Sequence, residues 1–206
     1  MFITFEGGEG VGKTTQIARL AQRLEKEGRE VVVTREPGGS TIANRIRSLI
    51  LDPRNDGLVP LAELFLYEAS RAQHLTDTVL PALARCAVVL CDRFADSSVV
   101  YQGAGRKIAP KIVADLNRIA TGGLEPDLTF FFDLDPRIGL ARVGSRGVMD
   151  RMEKEKLSFH QAVRRGYLRL AAVNRRRVVK VDASRSRDDI TATVFASLED
   201  RGVLHG

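Results

Sequence analysis

One glycine-rich stretch near the N-terminus constrains the fold of this chain more than any other feature. Residues 7–14 read GGEGVGKT and match the pattern G-x-x-x-x-G-K-[S/T]. The stretch directly follows a short apolar run at residues 2–5 and directly precedes apolar residues at helical spacing, Ile17, Leu20 and Leu24. A strand, a glycine-rich turn and a helix in this order are the context that a P-loop requires, so the pattern predicts a phosphate cradle.

The residue types of this loop suit a nucleoside triphosphate. Glycines let backbone N–H groups converge on phosphate oxygens, and the N-terminus of the following helix adds its positive end. We expect Lys13 to reach the β- and γ-phosphates and the hydroxyl of Thr14 to bind Mg²⁺. The predicted nucleotide-binding residues are Gly7, Gly8, Glu9, Gly10, Val11, Gly12, Lys13, Thr14 and Thr15.

The rest of the pattern predicts a single α/β domain over residues 1–206. Short apolar runs alternate with longer stretches of helical periodicity, which is typical of a parallel sheet covered by helices on both faces. Five buried strands are expected at residues 2–5, 31–34, 87–91, 128–132 and 178–181. The first helix is expected to end at Gly28, and further helices are expected at about 41–51, 61–80, 110–121, 136–144, 158–173 and 188–200. Loops that could carry function are expected at 6–14, 35–40, 92–107 and 142–156.

The composition excludes several classes of protein. An apolar fraction of 44% is that of a globular chain, and two cysteines cannot supply a disulfide framework or a four-thiolate zinc site. The N-terminus lacks the regions of a signal peptide, and no segment reaches the ~20 apolar residues that a membrane helix needs. We therefore expect a soluble, cytoplasmic protein that does not bind a membrane.

The net charge of +6 is concentrated in one segment of the chain. Residues 137–187, the basic segment, contain 15 Lys and Arg against 4 Asp and Glu, whereas the remainder is slightly acidic. A nucleic-acid surface, a solvated helix face or a clamp for a small anion would each explain this charge. The segment holds only Phe159 and Tyr167 as aromatic residues, and a P-loop already requires bound phosphates. The clamp is therefore favoured, and no nucleic-acid partner is expected.

A P-loop alone does not name a reaction, because switches, motors and kinases share it. The guanine-binding N-K-x-D motif of GTPases is absent, since each of the four asparagines is followed by Arg or Asp. The third predicted strand runs directly into Asp92 and Arg93. An Asp at that position supplies a second Mg²⁺ contact in P-loop proteins, and a neighbouring Arg can hold a phosphate through two hydrogen bonds.

A second group of candidates lies on one predicted helix. Tyr67, Arg71 and His74 stand at positions i, i+4 and i+7 and therefore share a face. An aromatic ring and a guanidinium on that face could stack on and hydrogen-bond a planar base. The alternative is a helix with one exposed polar stripe.

Several motifs together resemble those of the bacterial thymidylate kinases. Besides the P-loop, these are residues 34–39 (TREPGG), 70–74 (SRAQH), 92–94 (DRF), 101–103 (YQG) and 126–129 (PDLT). The resemblance extends from about residue 2 to about residue 200 without a large insertion or deletion. It implies the P-loop nucleoside monophosphate kinase fold, and transfer of the γ-phosphoryl group of ATP to dTMP to give dTDP and ADP.

The resemblance also implies roles for residues around the acceptor nucleotide. Arg93 would hold the phosphate of dTMP, Tyr67 would stack on thymine, and Arg71 would hydrogen-bond the exocyclic oxygen. Ser98, with Gln102 nearby, would contact the edge of the base.

Further roles concern the sugar and the phosphates. Tyr101 would stand beside C2′ of the deoxyribose, where a ribonucleotide hydroxyl would clash, and Glu9 would lie near the 3′-hydroxyl. Arg35 and Glu36 would complete the wall by the acceptor phosphate and the metal. Thr14 and Asp92 would hold Mg²⁺, partly through water.

In this family a lid closes over the phosphates, and the resemblance places it at about residues 142–156. Gly144 and Gly147 interrupt that segment and suit a mobile loop. Members whose P-loop lacks an arginine tend to carry the catalytic arginine in the lid, and this P-loop has none. Arg142 and Arg146 are therefore the lid candidates. Together with Lys13, Asp92 and Arg93, they make up the predicted catalytic residues.

Two rival functions stay open on the sequence alone. The acceptor could be another nucleoside monophosphate, or the chain could be an ATP-dependent nucleic-acid-binding or regulatory protein. The resemblance favours dTMP and ATP as partners with Mg²⁺. It further implies a homodimer formed through the helices that follow the second and third strands.

Overall fold

A computed structural model describes residues 1–145, 147 and 149–204 of the chain. The described residues form a five-stranded sheet with the order β2-β3-β1-β4-β5, in which all neighbouring strands are parallel. The strands are Phe2–Gly7 (β1), Val31–Arg35 (β2), Val88–Asp92 (β3), Leu128–Asp133 (β4) and Val178–Asp182 (β5). The five predicted strands are thus confirmed, each ending one or two residues later than expected.

Helices fill the intervals between the strands, and one further helix follows β5. They are Lys13–Lys26 (α1), Thr41–Leu51 (α2), Pro60–His74 (α3), Leu80–Ala84 (α4), Ala95–Ser98 (α5), Pro110–Thr121 (α6), Pro136–Gly144 (α7), Leu157–Val173 (α8) and Arg187–Glu199 (α9). The predicted helix at 61–80 is divided, because α3 passes into the wider π-helical turn Leu75–Val79 before α4 begins. Within the described residues, no helix has the length and apolar character to cross a membrane.

The prediction of a loop over residues 92–107 is wrong. This stretch contains α5 and the π-helical turn Val99–Gly105, which lies against α8. The β-branched pair Val99–Val100 and two glycines disfavour a helix on local preference. Packing overrides that preference because Gly166 of α8 leaves room for Val100, whose side chain would press against any Cβ placed there.

Apolar side chains cover both faces of the sheet. On one face, Phe5 and Phe130 pack with Leu20 of α1 and Val194 of α9. On the other face, residues of β3 contact the π-helical turn after α3 and Phe94, while β4 and β5 contact α8. The α/β fold with helices on both faces is therefore confirmed.

The carboxyl ends of the parallel strands meet at one edge of the sheet. Phe5 pairs in register with Asp92, and Asp92 pairs with Arg35. The segments that follow β1, β2 and β3 consequently begin side by side. Ligands of open α/β sheets bind at this edge.

Candidate active site

The P-loop connects β1 to α1 through backbone conformations that favour glycine. Gly7, Gly10 and Gly12 have φ values of 146°, 64° and 93°, all in the region that side chains disfavour. A Cβ at Gly10 would clash with the carbonyl oxygen of Gly139 in α7. The predicted strand, turn and helix are confirmed, with α1 beginning at Lys13.

Lys13 lies between the P-loop and the end of β3. Its Nζ is 3.5 Å from Oδ1 of Asp92 and donates to the carbonyl oxygen of Gly8 at 3.4 Å. Burial, together with the charge of Arg93, lowers the pKa of Lys13, although Asp92 and Glu9 act in the opposite direction. Oδ1 of Asp92 is buried and accepts no hydrogen bond from the part of the chain that the structure describes. Such an oxygen is a suitable acceptor for a ligand cation or a bound water.

Arg93 turns the chain from β3 toward α5 with a φ of 71°. Its Nη1 donates to the carbonyl oxygen of Gly7 at 2.7 Å, and its Nη2 donates to Oε1 of Glu9 at 2.7 Å. The guanidinium also lies over the ring of Tyr101, 4.9 Å from its centroid. Burial alone would lower the pKa of Arg93, but Glu9 and its other anionic neighbours hold that pKa above its usual value.

Glu9 is the P-loop residue that faces this arginine. Oε1 accepts from Arg93 and also from the hydroxyl of Tyr101 at 2.9 Å. Burial would raise the pKa of Glu9, but Arg93 and Lys13 outweigh it and lower the pKa to about 2. The carboxylate is therefore ionised at neutral pH.

Two cavities adjoin at Glu9, Glu36 and Arg93. The first, the triphosphate cavity, lies along the P-loop, and the second, the base cavity, lies beside α3. Besides these shared residues, the triphosphate cavity is lined by Gly10, Val11, Gly12, Lys13, Thr14, Thr15, Arg35 and Asp92. The base cavity is lined by Tyr67, Arg71, Phe94, Ser97, Tyr101, Gln102 and Met152.

Arg71 is buried at the back of the base cavity among acceptors. Its Nε donates to Oε2 of Glu36 at 2.8 Å, and its Nη1 donates to Glu68, at 2.6 Å to Oε1. Nη1 also donates to the hydroxyl oxygen of Ser98 at 3.1 Å and to Oδ1 of Asn117 at 2.7 Å. This network fixes the guanidinium plane before any ligand binds.

Ser98 and His74 lie elsewhere than the sequence suggested. Ser98 is buried beneath Arg71, and Ser97 takes its place among the cavity residues in the described part of the chain. His74 is fully buried, with Nδ1 donating to Oε1 of Glu36 at 3.0 Å and Nε2 lying 2.7 Å from the hydroxyl oxygen of Thr34. It therefore supports Glu36 rather than lining the base cavity with Tyr67 and Arg71.

Arg47 is a residue of the site that sequence reasoning missed. It projects from α2 into both cavities, and its Nη1 donates to the carbonyl oxygen of Pro37 at 2.8 Å. Burial and the nearby charge of Arg35 lower its pKa. No local motif distinguishes it from Arg45 on the same helix, so only the fold reveals its position.

The predicted lid at 142–156 begins on the last turn of α7 and ends in a segment that packs against α2. Arg142 lies on the last turn of α7, where its Nη1 donates to the carbonyl oxygen of Gly10 at 3.3 Å. The other candidate, Arg146, lies outside the described residues. Residues 150–156, the return segment, pack against α2 through Arg151, whose Nε donates to the carbonyl oxygen of Ile50 at 2.7 Å.

Part of the charge in the basic segment is neutralised within the described fold. Arg164 pairs with Asp133 at 2.7 Å, and Arg177 pairs with Asp96 at 2.7 Å. Arg151 pairs with Glu63 at 2.7 Å. These arginines stabilise the fold locally rather than forming an open basic surface.

Comparison with known proteins identifies the family. The thymidylate kinase family model matches residues 5–194. A thymidylate kinase of Deinococcus radiodurans is 48% identical over 202 residues, which cover 98% of both chains. A thymidylate kinase of Synechococcus sp. (strain JA-3-3Ab) is 50% identical over 201 residues, 98% of this chain and 96% of the relative. The crystal structure of thymidylate kinase from Ehrlichia chaffeensis superposes with a TM-score of 0.80 at 32% identity, covering 96% of this chain and 98% of that one. The chain therefore belongs to the thymidylate kinase family.

Proposed function

We propose that this chain transfers the γ-phosphoryl group of ATP to dTMP, giving dTDP and ADP, at the junction of its two cavities. The observation that carries the proposal is the position of Arg93, which contacts both the P-loop and the ring of Tyr101. A phosphate held by Arg93 from the base cavity would face a phosphate held by Lys13 from the triphosphate cavity. This is the alignment that phosphoryl transfer requires.

ATP would bind with its phosphates in the P-loop. Backbone N–H groups at the start of α1 and the Lys13 ammonium would hold the β- and γ-phosphates. The residues that would hold Mg²⁺ are Thr14, exposed in the triphosphate cavity, and Asp92, whose Oδ1 accepts no hydrogen bond from the described residues. When bound, the metal would neutralise part of the charge on the transferring group.

dTMP would occupy the base cavity with its phosphate toward Arg93 and Arg47. Tyr67, half-buried on α3, would stack on the thymine ring, and Arg71 would donate to the exocyclic oxygen. Tyr101, held by its hydrogen bond to Glu9, would form the wall beside the sugar. Glu36 braces Arg71 and His74, and the exposed Arg35 extends toward the phosphates.

The reaction needs no general base. The acceptor phosphate, with a second pKa of about 6, is mostly dianionic at neutral pH and is itself the nucleophile. The residues therefore act by bringing together two anions that repel each other and by neutralising the charge that moves between them. Arg142 already reaches Gly10 of the P-loop and would complete the cationic shell.

An assay of ADP release across six acceptors tests this function. The purified chain, ATP and Mg²⁺ would be incubated separately with dTMP, dUMP, UMP, CMP, AMP and GMP. We expect the highest kcat/KM with dTMP and no stimulation of turnover by added DNA or RNA. A clear preference for another nucleotide would refute the specificity, and stimulation by nucleic acid would support the rival regulatory function.

We further propose a homodimer formed through α2, α3 and α6. The outer faces of these adjacent helices carry large apolar side chains that are 45–69% exposed: Ile42, Leu49, Leu61, Phe65, Ile112 and Ile119. An apolar patch of this kind marks a protein interface. Light scattering should give twice the mass of one chain, and Phe65→Glu should shift the mass to that of a monomer. A monomeric wild type would refute the dimer.

A cytoplasmic location stays a prediction.

A further inference from the structure

Glu63 is a fully buried carboxylate on α3, directly behind the base cavity. Arg106 holds it through two hydrogen bonds, from Nε to Oε1 at 3.0 Å and from Nη2 to Oε2 at 2.9 Å. Arg151 of the return segment forms an ion pair with Oε2 at 2.7 Å. Burial would raise the pKa of Glu63, but hydrogen bonds from Arg106 and Gln102 and the charge of Arg106 lower it below its usual value. Glu63 is thus ionised and can only accept hydrogen bonds.

Gln102 lies between this carboxylate and the base cavity. Its Nε2 donates to Oε1 of Glu63 at 2.9 Å. The reversed amide orientation would place Oε1 of Gln102 against a carboxylate oxygen, where two acceptors repel each other. Among the described residues, none donates a hydrogen bond to Oε1 of Gln102, and Gln102 lines the cavity. The amide therefore offers an acceptor to whatever occupies the base cavity.

Arg71 supplies the complementary donor in the same cavity. Its Nη2 donates to the carbonyl oxygen of Phe94 at 3.2 Å. This bond uses one of the two hydrogens on Nη2. The cavity thus offers a donor from Arg71 together with an acceptor from Gln102. Thymine presents an exocyclic O4 acceptor next to an N3–H donor and matches this pattern. Cytosine presents an amino donor next to an N3 acceptor, which places like groups together at both positions.

We propose that Glu63 is a positioning residue that fixes the amide of Gln102, so that the cavity selects a base with an N3–H over a base whose N3 is an acceptor. This inference rests on the proposed function, because it concerns how the acceptor nucleotide is recognised. Glu63 itself does not touch the base. It acts through Gln102, and it removes the amide orientation that would accept cytosine.

The test compares dTMP with 5-methyl-dCMP, which differ only along the edge at N3 and position 4. The wild type should prefer dTMP in kcat/KM by more than about a hundredfold, because a site built to hydrogen-bond a polar edge strongly rejects a mismatched one. Glu63→Gln gives Gln102 a partner that can donate or accept, so either amide orientation becomes available. The preference should then fall by about tenfold.

Glu155→Gln is the matched control. Glu155 also pairs with Arg106, at 2.6 Å, but makes no hydrogen bond to Gln102 among the described residues. This variant should keep the wild-type preference even where its stability falls. If Glu63→Gln does not fold, Glu63→Asp retains the charge but withdraws the carboxylate from Gln102, and should lower the preference by about threefold.

A double-variant comparison separates positioning from a general structural effect. In a Gln102→Ala background, Glu63→Gln should have no further effect on the ratio of the two substrates. The inference is overturned if folded Glu63 variants keep the wild-type ratio, or if Glu155→Gln lowers the ratio equally. If the wild type does not phosphorylate dTMP at all, the proposed function fails instead, and that outcome is seen before any variant is made.

Discussion

Arg93 and Glu9 form an ion pair, with 2.7 Å between Nη2 and Oε1, where the two cavities meet. The pair joins the residue that follows β3 to the P-loop that follows β1. Since Tyr101 also donates to the same Glu9 oxygen, the arginine is held in place before substrate arrives. Preorganised donors of this kind stabilise developing charge without a cost of reorientation during the reaction.

Arg93→Ala should therefore lower kcat/KM for dTMP by about a thousandfold. The substitution removes the cation that would hold the acceptor phosphate and leaves the Glu9 carboxylate facing that phosphate. Steady-state kinetics with dTMP varied at saturating ATP would measure the effect. Arg85→Ala is the control, because Arg85 is exposed and pairs only with Glu30 among the described residues. Loss of less than about tenfold would exclude Arg93 from phosphate binding.

Lys13→Ala should lower kcat by at least about a hundredfold while the fold is retained. The Lys13 ammonium lies 3.5 Å from Oδ1 of Asp92 and 3.4 Å from the carbonyl oxygen of Gly8 in the P-loop, where the γ-phosphate would lie. Circular dichroism and single-turnover kinetics would separate folding from chemistry. Lys26→Ala, an exposed change at the end of the same helix, should leave both unchanged. Near-normal kcat in Lys13→Ala would contradict the assignment.

Arg142→Ala should lower kcat by about ten- to a hundredfold with little change in KM for dTMP, because it contacts the P-loop and lies outside the base cavity. Arg137→Ala on the same helix is exposed and should have no effect. The double variant Arg142→Ala/Arg146→Ala tests both candidates from the sequence. If that double variant turns over at the wild-type rate, the lid assignment is wrong.

Glu6 gives the stability of the protein a specific pH dependence. Its buried carboxylate accepts from the backbone N–H of Phe94 at 2.7 Å, from Ser97 at 2.6 Å and from Tyr167 at 2.6 Å. Burial nevertheless raises its pKa from 4.5 to about 7. The native state then binds more protons than the unfolded state between these values, so the free energy of unfolding falls as pH rises through this window.

The slope contributed by Glu6 is at most about 1.4 kcal/mol per pH unit. Glu6→Gln should remove this slope, because an amide does not titrate. The fold should tolerate the change, since the Ser97 and Tyr167 hydroxyls can accept from an amide as well as donate to a carboxylate. Urea unfolding at pH 5, 6 and 7 would measure the slope in both proteins. Parallel pH profiles for wild type and variant would show that Glu6 does not titrate in this range.

The sequence predicts the positions of functional residues that lie within a local motif. It does not predict the positions of residues that only tertiary packing brings to the site. The P-loop, the strand ends and the Asp92–Arg93 pair follow from local patterns, because a parallel sheet brings strand ends to one edge. Arg47 and Glu63 carry no such pattern, since α2 and α3 bring them to the cavities only through tertiary packing. The helical structure after Arg93 was missed for a similar reason. Its contact with Gly166 is distant in sequence and outweighs local preference.

One cleft is expected to move the γ-phosphoryl group from ATP directly to dTMP. The most direct measurement follows γ-labelled ATP in the presence of dTMP and Mg²⁺, with products separated by chromatography. We expect the label to appear in dTDP in a one-to-one ratio with ADP, and omission of dTMP to stop ADP formation. Label released mainly as inorganic phosphate, or ADP formed at the same rate without dTMP, would contradict direct transfer.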